Sequence, residues 1–334
     1  MTNHSDSLHT PDLDLQLRLY DNQYAQQVVP AILFLAILMI VGCIGNALVF
    51  YVYHVKMKRN TTRVYILSVA AFDLLNCVVC IPNEIADMRY NYTFGRYALC
   101  KVVRVFIVFS SFGSGFILLV VAVDRYRRVC RPFQKQMSTR TARVAVTICT
   151  VLSFFISLPA YVIYGSRTVP LDIVNINGSD CSISDECDAI AQQSTSQEDA
   201  SNSTGQERKP EHSSKDKTWL GIDVSASCDA ESANFHTSPR RDGGERRTLF
   251  MLFLITLVFV LSFLPHLTLM VTLAVNKYIF EEIQGFGLAA FNLFIRSFFI
   301  NSASNPFIYS FCSTNFRREL GVVIWKLNCR ATKN

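Results

Sequence analysis

The chain has 334 residues, of which 50% are hydrophobic and only 17% charged. Soluble globular chains carry about 25% charge, so the deficit points to lipid as the solvent and excludes an ordinary cytosolic enzyme, a collagen, a disulfide scaffold and a disordered chain. The formal net charge of +6 does not signal a nucleic-acid partner, because the basic residues gather beside the apolar runs, where they set orientation.

Residues 1–27 are polar and contain Asp6, Asp12, Asp14 and Asp21, so they read as an N-terminal tail and not as a signal peptide. Asn3 opens a glycosylation sequon in that tail. Six apolar stretches then qualify as membrane crossings, at about 28–53, 64–87, 98–124, 144–164, 248–275 and 283–310. The predicted fold is all-α, a polytopic membrane helical bundle, with helices over 28–164 and 248–310 and an amphipathic tail segment over 311–334. Lys56, Lys58, Arg59 and Arg63 fill the first connection, and Arg125, Arg127, Arg128, Arg131, Lys135, Arg140 and Arg143 the third. Both therefore read as cytoplasmic, which places the N-terminus and the Asn91-Tyr92-Thr93 sequon outside.

The next segment breaks this alternation. Tyr164 lies outside, yet the crossing that follows residue 247 is preceded by Arg240, Arg241, Arg246 and Arg247 and wants to start inside. Residues 165–247 contain no apolar stretch that would carry the chain back. The reading is a disordered polar loop made of two unlike parts, an outer one with the Asn177-Gly178-Ser179 sequon and Cys181, and an inner Ser-rich charged one, with one helix missing between them. The competing reading keeps the whole segment outside, since long loops translocate regardless of charge.

Sparse polar residues interrupt the crossings, and such groups at membrane depth face a bundle interior or a water-filled cavity. Counted from the inner ends at 1.5 Å per residue, Asn46 lies about 12 Å in, Asp73 about 14 Å, Ser114 about 16 Å and the pair Asn301 and Asn305 about 10 Å. They share one layer. Asp73, Ser114, Asn301 and Asn305 are candidates for a small cation site, with sodium the expected ion; the alternative is a polar network that only packs helices.

Asp124-Arg125-Tyr126 ends the third crossing and Asn305-Pro306-Phe307-Ile308-Tyr309 lies in the last. Together with Gly45-Asn46, the stretch Leu67 to Leu75 around Asp73, and Phe316 to Leu320 beyond the last crossing, this chain closely resembles the rhodopsin-like (class A) G-protein-coupled receptors, over most of 28–165 and 245–330. The resemblance implies a seven-helix receptor architecture that here lacks the fifth helix. It further implies that Arg125 is a cytoplasmic switch, bonded to Asp124 when inactive and able to reach Glu245. Tyr126 and Tyr309 accompany that switch, and Pro265 and Pro306 supply kinks. Phe263 stands where the family usually has Trp. The resemblance also implies a disulfide from Cys100, with Cys181 its natural partner and Cys187 a second candidate, and acylation at Cys329.

On the outer side, Glu84, Arg104, His266 and Arg296 are the notable polar side chains near Ile107. Arg296 calls for an acidic partner such as Glu84 or an anionic ligand group, or else it snorkels to the interface. Ile107 stands where amine receptors of the family carry Asp, and the last crossing has no Lys for retinal, so the resemblance favours the neuropeptide branch. It implies an extracellular peptide ligand, a heterotrimeric G protein as partner, and a multi-pass place in the plasma membrane with the N-terminus outside. Three rivals remain: a truncated, non-signalling receptor-like chain, a six-helix channel or transporter, and an intramembrane hydrolase. Val144 to Tyr164 holds no basic residue for a voltage sensor. Ser114 and His266 lie about 12 Å apart in depth, too far for proton transfer.

Overall fold

A computed structural model describes residues 10–94, 97–171, 177–187, 239–275 and 283–331. Within them the apolar runs form helices, because lipid leaves backbone polar groups no partner but the helix itself. Helix α1 (Thr10–Tyr51) closes with a π-helical turn at Val52–Lys56. Helix α2 (Thr61–Leu75) starts on Asn60, whose side chain accepts from the Arg63 amide at 2.7 Å, and it passes through a π-helical turn at Asn76–Cys80 into α3 (Ile81–Arg89). Helix α4 spans Tyr97–Cys130, and α5 (Thr139–Ser157), capped by Ser138, leads into α6 (Pro159–Ile163). Strands β1 (Tyr164–Pro170) and β2 (Asn177–Ile183) pair antiparallel. Then follow α7 (Pro239–Val275), α8 (Phe286–Ile295), α9 (Phe299–Cys312) and α10 (Thr314–Ala331).

Five of these spans are long and apolar enough to cross a membrane, and α8 with α9 makes a sixth that bends by 63° at Arg296–Phe298. A helix of crossing length and apolarity, or for the last a bent pair, thus stands at each of the six expected crossings, with three corrections. The first helix begins at Thr10, so residues 10–27 are not a free tail; at 42 residues α1 is about 63 Å long and overshoots a bilayer. The expected disordered loop over 165–247 opens instead with the β-hairpin. The last crossing, expected as one helix, breaks at Arg296–Phe298, while α9 and α7 run on as helices through Pro306 and Pro265.

The bundle has two apolar cores with a polar seam between them. One, at the end that carries the Cys100–Cys181 disulfide, gathers Val28, Leu35, Cys77, Ile107 and Phe299. The other, at the end where α10 seats Phe316 on Tyr53 and Tyr309, gathers Val49, Phe72, Ile117, Met251 and Ile308. On α1, α2, α4 and α9 the buried polar residues Asn46, Asp73, Asn76, Ser110, Ser114, Asn301, Ser302 and Asn305 fall between the two. Gly45 allows α1 to approach α9 there, since a Cβ at that position would stand 2.6 Å from Cγ of Pro306.

Helix α5 runs from the tail end, where Met137 meets Tyr65, to the disulfide end. Helix α7 runs the same way, from Arg247 beside Phe311 and Arg317 to His266 beside Ile295. Two consecutive crossings thus point in one direction. Residues 188–238, which separate them in sequence, lie outside the described residues and contain no apolar stretch long enough to cross.

Candidate ligand cluster, polar seam and switch

At the disulfide end the two carboxylate oxygens of Glu84 each hold a different arginine. Nη1 of Arg104 donates to Oε1 at 2.7 Å, and Nε of Arg296 donates to Oε2 at 2.7 Å. Asp87, one turn further on α3, stands 3.6 Å from Nη2 of both arginines. The four side chains are 4 to 21% exposed and their formal charges balance. The local sequence explains the placement: the π-helical turn inserts a residue before α3 and so rotates Glu84, while the break after α8 frees Arg296 from the helix wall. Arg104 also donates to the Cys181 carbonyl at 3.1 Å, which ties the cluster to β2. Arg296 reaches Asn292 at 2.7 Å, and Asn292 reaches the Tyr24 hydroxyl at 3.2 Å.

The expected partnership of Arg296 and Glu84 is thus formed, and the snorkelling alternative is not. His266 sits beside the cluster with Nδ1 2.5 Å from the Ile295 carbonyl and its ring edge-on to Phe298. Ile107 belongs to the apolar core, its carbonyl accepting from the Ser110 hydroxyl at 3.1 Å. Sequence reasoning missed Asp87, Asn292 and Tyr24.

In the seam, Nδ2 of Asn305 donates to Oδ2 of the fully buried Asp73 at 2.7 Å. Oδ1 of Asp73, Oγ of Ser114, Oδ1 of Asn301 and Oδ1 of Asn305 are buried with no hydrogen-bond partner among the described residues. One carboxylate with hydroxyl and amide oxygens about it is a donor set of the kind that holds a small hard cation. One turn toward the disulfide end, Asn76 links three helices: Ser110 donates to its Oδ1 at 2.6 Å and its Nδ2 donates to Ser302 at 3.0 Å. Asn46 donates to the Ser302 carbonyl at 2.6 Å.

At the tail end the buried carboxylate of Asp124 lies 3.2 Å from Nη2 of Arg125 and 3.2 Å from Nε of Arg128. Arg125 donates to Thr62 at 2.7 Å and Arg128 to Thr61 at 2.9 Å, so both anchor on the start of α2. Arg128, which the sequence places among the basic residues of this connection, thus shares the Asp124 carboxylate with Arg125. Tyr126 is 49% exposed and faces away from it. Glu245 lies in α7, with its side chain outside the described residues. Phe263 stacks on Phe259 at 4.5 Å and touches Phe298 at 5.7 Å, and Tyr309 is buried against Tyr53 and Phe316.

Cys100 is bonded to Cys181, and Cys187 is free. The overshooting part of α1 caps the same end. Asp21, 1% exposed, accepts from the Tyr92 amide at 2.7 Å and from the Thr93 hydroxyl, while the Tyr92 carbonyl accepts from Ser179 of β2 at 3.0 Å. Burial, with Tyr24 and Asp21 close by, raises the Tyr92 phenol above its ordinary pKa. Of the expected glycosylation sites, Asn177 is exposed and Asn91 half-buried, and Asn3 lies outside the described residues, as does the side chain of Cys329.

A family model described as 7 transmembrane receptor (rhodopsin family) matches residues 45–198. The Allatostatin-A receptor of Bombyx mori is 28% identical over 303 residues, which are 87% of this chain and 78% of that receptor. The Cholecystokinin receptor type A of Rattus norvegicus is 36% identical over 143 residues, 42% of this chain and 32% of the receptor. The C3a anaphylatoxin chemotactic receptor of Oncorhynchus mykiss is 34% identical over 137 residues, 40% of this chain and 37% of the receptor. With the last two, the match spans about a third of the relative's length.

Proposed function

We propose that the chain is a rhodopsin-family transmembrane receptor that takes a peptide at its disulfide end, over the cluster of Glu84, Asp87, Arg104 and Arg296. The observation that carries this reading is the burial of two guanidiniums and two carboxylates beneath a disulfide-pinned hairpin. A charged group of a peptide displaces one arm of such a cluster and replaces its ion pair without leaving a bare buried charge. The relatives are named for allatostatin-A, cholecystokinin and C3a anaphylatoxin, which supports the peptide class.

The basic connections Lys56 to Arg63 and Arg125 to Arg143 lie at the tail end, which supports a cytoplasmic tail end and an extracellular disulfide end in the plasma membrane. Asn91 and Asn177 then lie on the glycosylated side. Ligand-driven release of Arg125 and Arg128 from Asp124 would signal to a heterotrimeric G protein. The test is equilibrium binding of labelled allatostatin-A and cholecystokinin peptides to the full-length chain in nanodiscs. Binding that weakens about tenfold or more in Arg296→Gln supports the reading; binding indifferent to Arg296 and Arg104 alike would refute it.

The seam supports a sodium ion held by Asp73, Ser114, Asn301 and Asn305. When bound it supplies a positive charge that offsets the buried carboxylate. Replacing N-methylglucamine by sodium is expected to raise the thermal midpoint of the full-length chain, and Asp73→Asn to abolish that rise. A rise of equal size with potassium, or one that survives in Asp73→Asn, would leave only a packing network.

The parallel course of α5 and α7 favours a second reading, a receptor-like chain that lacks a fifth helix and does not couple. Ligand-dependent nucleotide exchange on a G protein by this chain would exclude it.

A further inference from the structure

A cavity of about 650 Å³ opens at the tail end where α7, α9 and α10 meet. Its walls are Phe250, Leu254 and Phe311, and Arg247 and Arg317 stand at its rim. On α7, Arg247, Phe250 and Leu254 follow one another at intervals of three and four, so they form one strip. That strip lies about a quarter turn from Met251, Ile255 and Ser262, which are buried in the bundle. The cavity therefore lies on the outside of the α7–α9 seam and not inside the bundle. Phe250 is 56% and Phe311 78% exposed, so in a bilayer both meet acyl chains.

The two arginines are the unusual part. Arg318 is paired with Glu319, and Arg125 and Arg128 with Asp124, but the guanidiniums of Arg247 and Arg317 have no acidic partner among the described residues. Their depth follows from α10, which leaves the bundle at Ser313 and exposes Val322, Ile324 and Trp325. A helix that leaves the last crossing and carries exposed apolar side chains, Trp among them, lies in the plane of the membrane interface. Arg317, in its first turn, is then held at the level of the headgroups, with the apolar walls of the cavity reaching below it.

We propose that this cavity is a binding site for an anionic glycerophospholipid, with its phosphate between Arg247 and Arg317 and an acyl chain against Phe250, Leu254 and Phe311. Charge complementarity selects the occupant: two cations that have no acidic partner among the described residues, over an apolar trough, match a phosphate carried on a hydrocarbon chain. The inner leaflet, which is rich in such lipids, is the leaflet that the tail end faces in the orientation proposed above. An occupied site would bridge α7 to α9 and α10, so the lipid would favour the arrangement in which these helices are together.

The experiment measures binding of a fluorescent phosphatidylserine to the detergent-solubilised full-length chain, a readout that does not depend on orientation or on the peptide ligand. Arg247→Gln with Arg317→Gln is expected to weaken binding about thirtyfold. Leu254→Trp, which fills the trough and keeps both charges, is expected to weaken it as well. Arg140→Gln with Arg143→Gln, two exposed arginines on α5, is expected to change it less than about threefold. Equal losses from both arginine pairs would reduce the effect to general surface charge and overturn the proposal. So would full competition by water-soluble glycerophosphoserine or by an acidic peptide, since either would mean that the acyl chain contributes nothing. Should the double variant fold poorly by circular dichroism, the single variants decide: each is expected to weaken binding about fivefold, and no loss in either refutes the site.

Discussion

Replacement of Glu84 by alanine is expected to destabilise the folded chain by about 3–5 kcal/mol, because it strands two buried cations at once. Each carboxylate oxygen of Glu84 makes a 2.7 Å hydrogen bond to a different arginine. Asp87 stays behind, but at 3.6 Å from both guanidiniums it attracts without hydrogen-bonding. The wild-type cluster has two positive and two negative side chains; the variant keeps two and one. Asp87→Ala, which removes the more distant carboxylate, is expected to cost less than Glu84→Ala. Glu84→Gln combined with Arg296→Gln is expected to cost less than the sum of the single changes, since it removes a charge of each sign. The buried free thiols of Cys77 and Cys80 supply the measurement: a thiol-reactive dye reports the temperature at which they become accessible in detergent. A midpoint for Glu84→Ala equal to that of wild type, or no lower than that of Asp87→Ala, would mean that the cluster is solvated and contributes little.

The residues legible in the sequence are those whose presence at membrane depth is itself costly. Asp73, Asp124 and Arg296 stand out because a charge inside an apolar run demands a partner, and the structure supplies one for each. The residues that escaped notice lie one helical turn away from those that did not. Asp87 follows Glu84 by three, Asn76 follows Asp73 by three, and Ser110 precedes Ser114 by four. The i+3 and i+4 spacing was a usable signal, but it gains meaning only once the face of each helix is fixed. The two π-helical turns shift that face by a residue and leave no mark in composition. Asp21 had no such signal. Its partners, Tyr92 and Thr93, are 71 and 72 residues away, and only docking of the overshooting α1 on the next connection brings them together. The hairpin was hidden for a related reason: the stretch from Tyr164 to Ile183 lacks period-two alternation of apolar residues, and its strands pair above the bundle without burying an apolar face.

Loss of the Cys100–Cys181 bond is the second large effect to expect. The bond closes a loop with a sequence separation of 81 residues, and the chain-entropy model assigns about 4–5 kcal/mol to a constraint of that length. Its removal reaches further than stability. Arg104 donates to the carbonyl of Cys181 and at the same time to Glu84, so the bond holds β2 against the charged cluster. Cys100→Ser with Cys181→Ser is therefore expected to lower the thermal midpoint and to free β2 from the charged cluster. The hairpin itself should persist, because Ser166 and Ser179 are hydrogen-bonded and Arg167 pairs with Asp180 at 2.6 Å. Cys187→Ser offers the comparison. Its thiol is free and donates to the Val162 carbonyl at 3.5 Å, a weak bond whose loss is expected to cost less than about 1 kcal/mol. Dithiothreitol distinguishes the cases: it is expected to lower the midpoint of wild type and of Cys187→Ser, and to leave the double serine variant where it was. A reductant-induced fall of the same size in the double variant would show that some other bond, and not this one, carries the constraint.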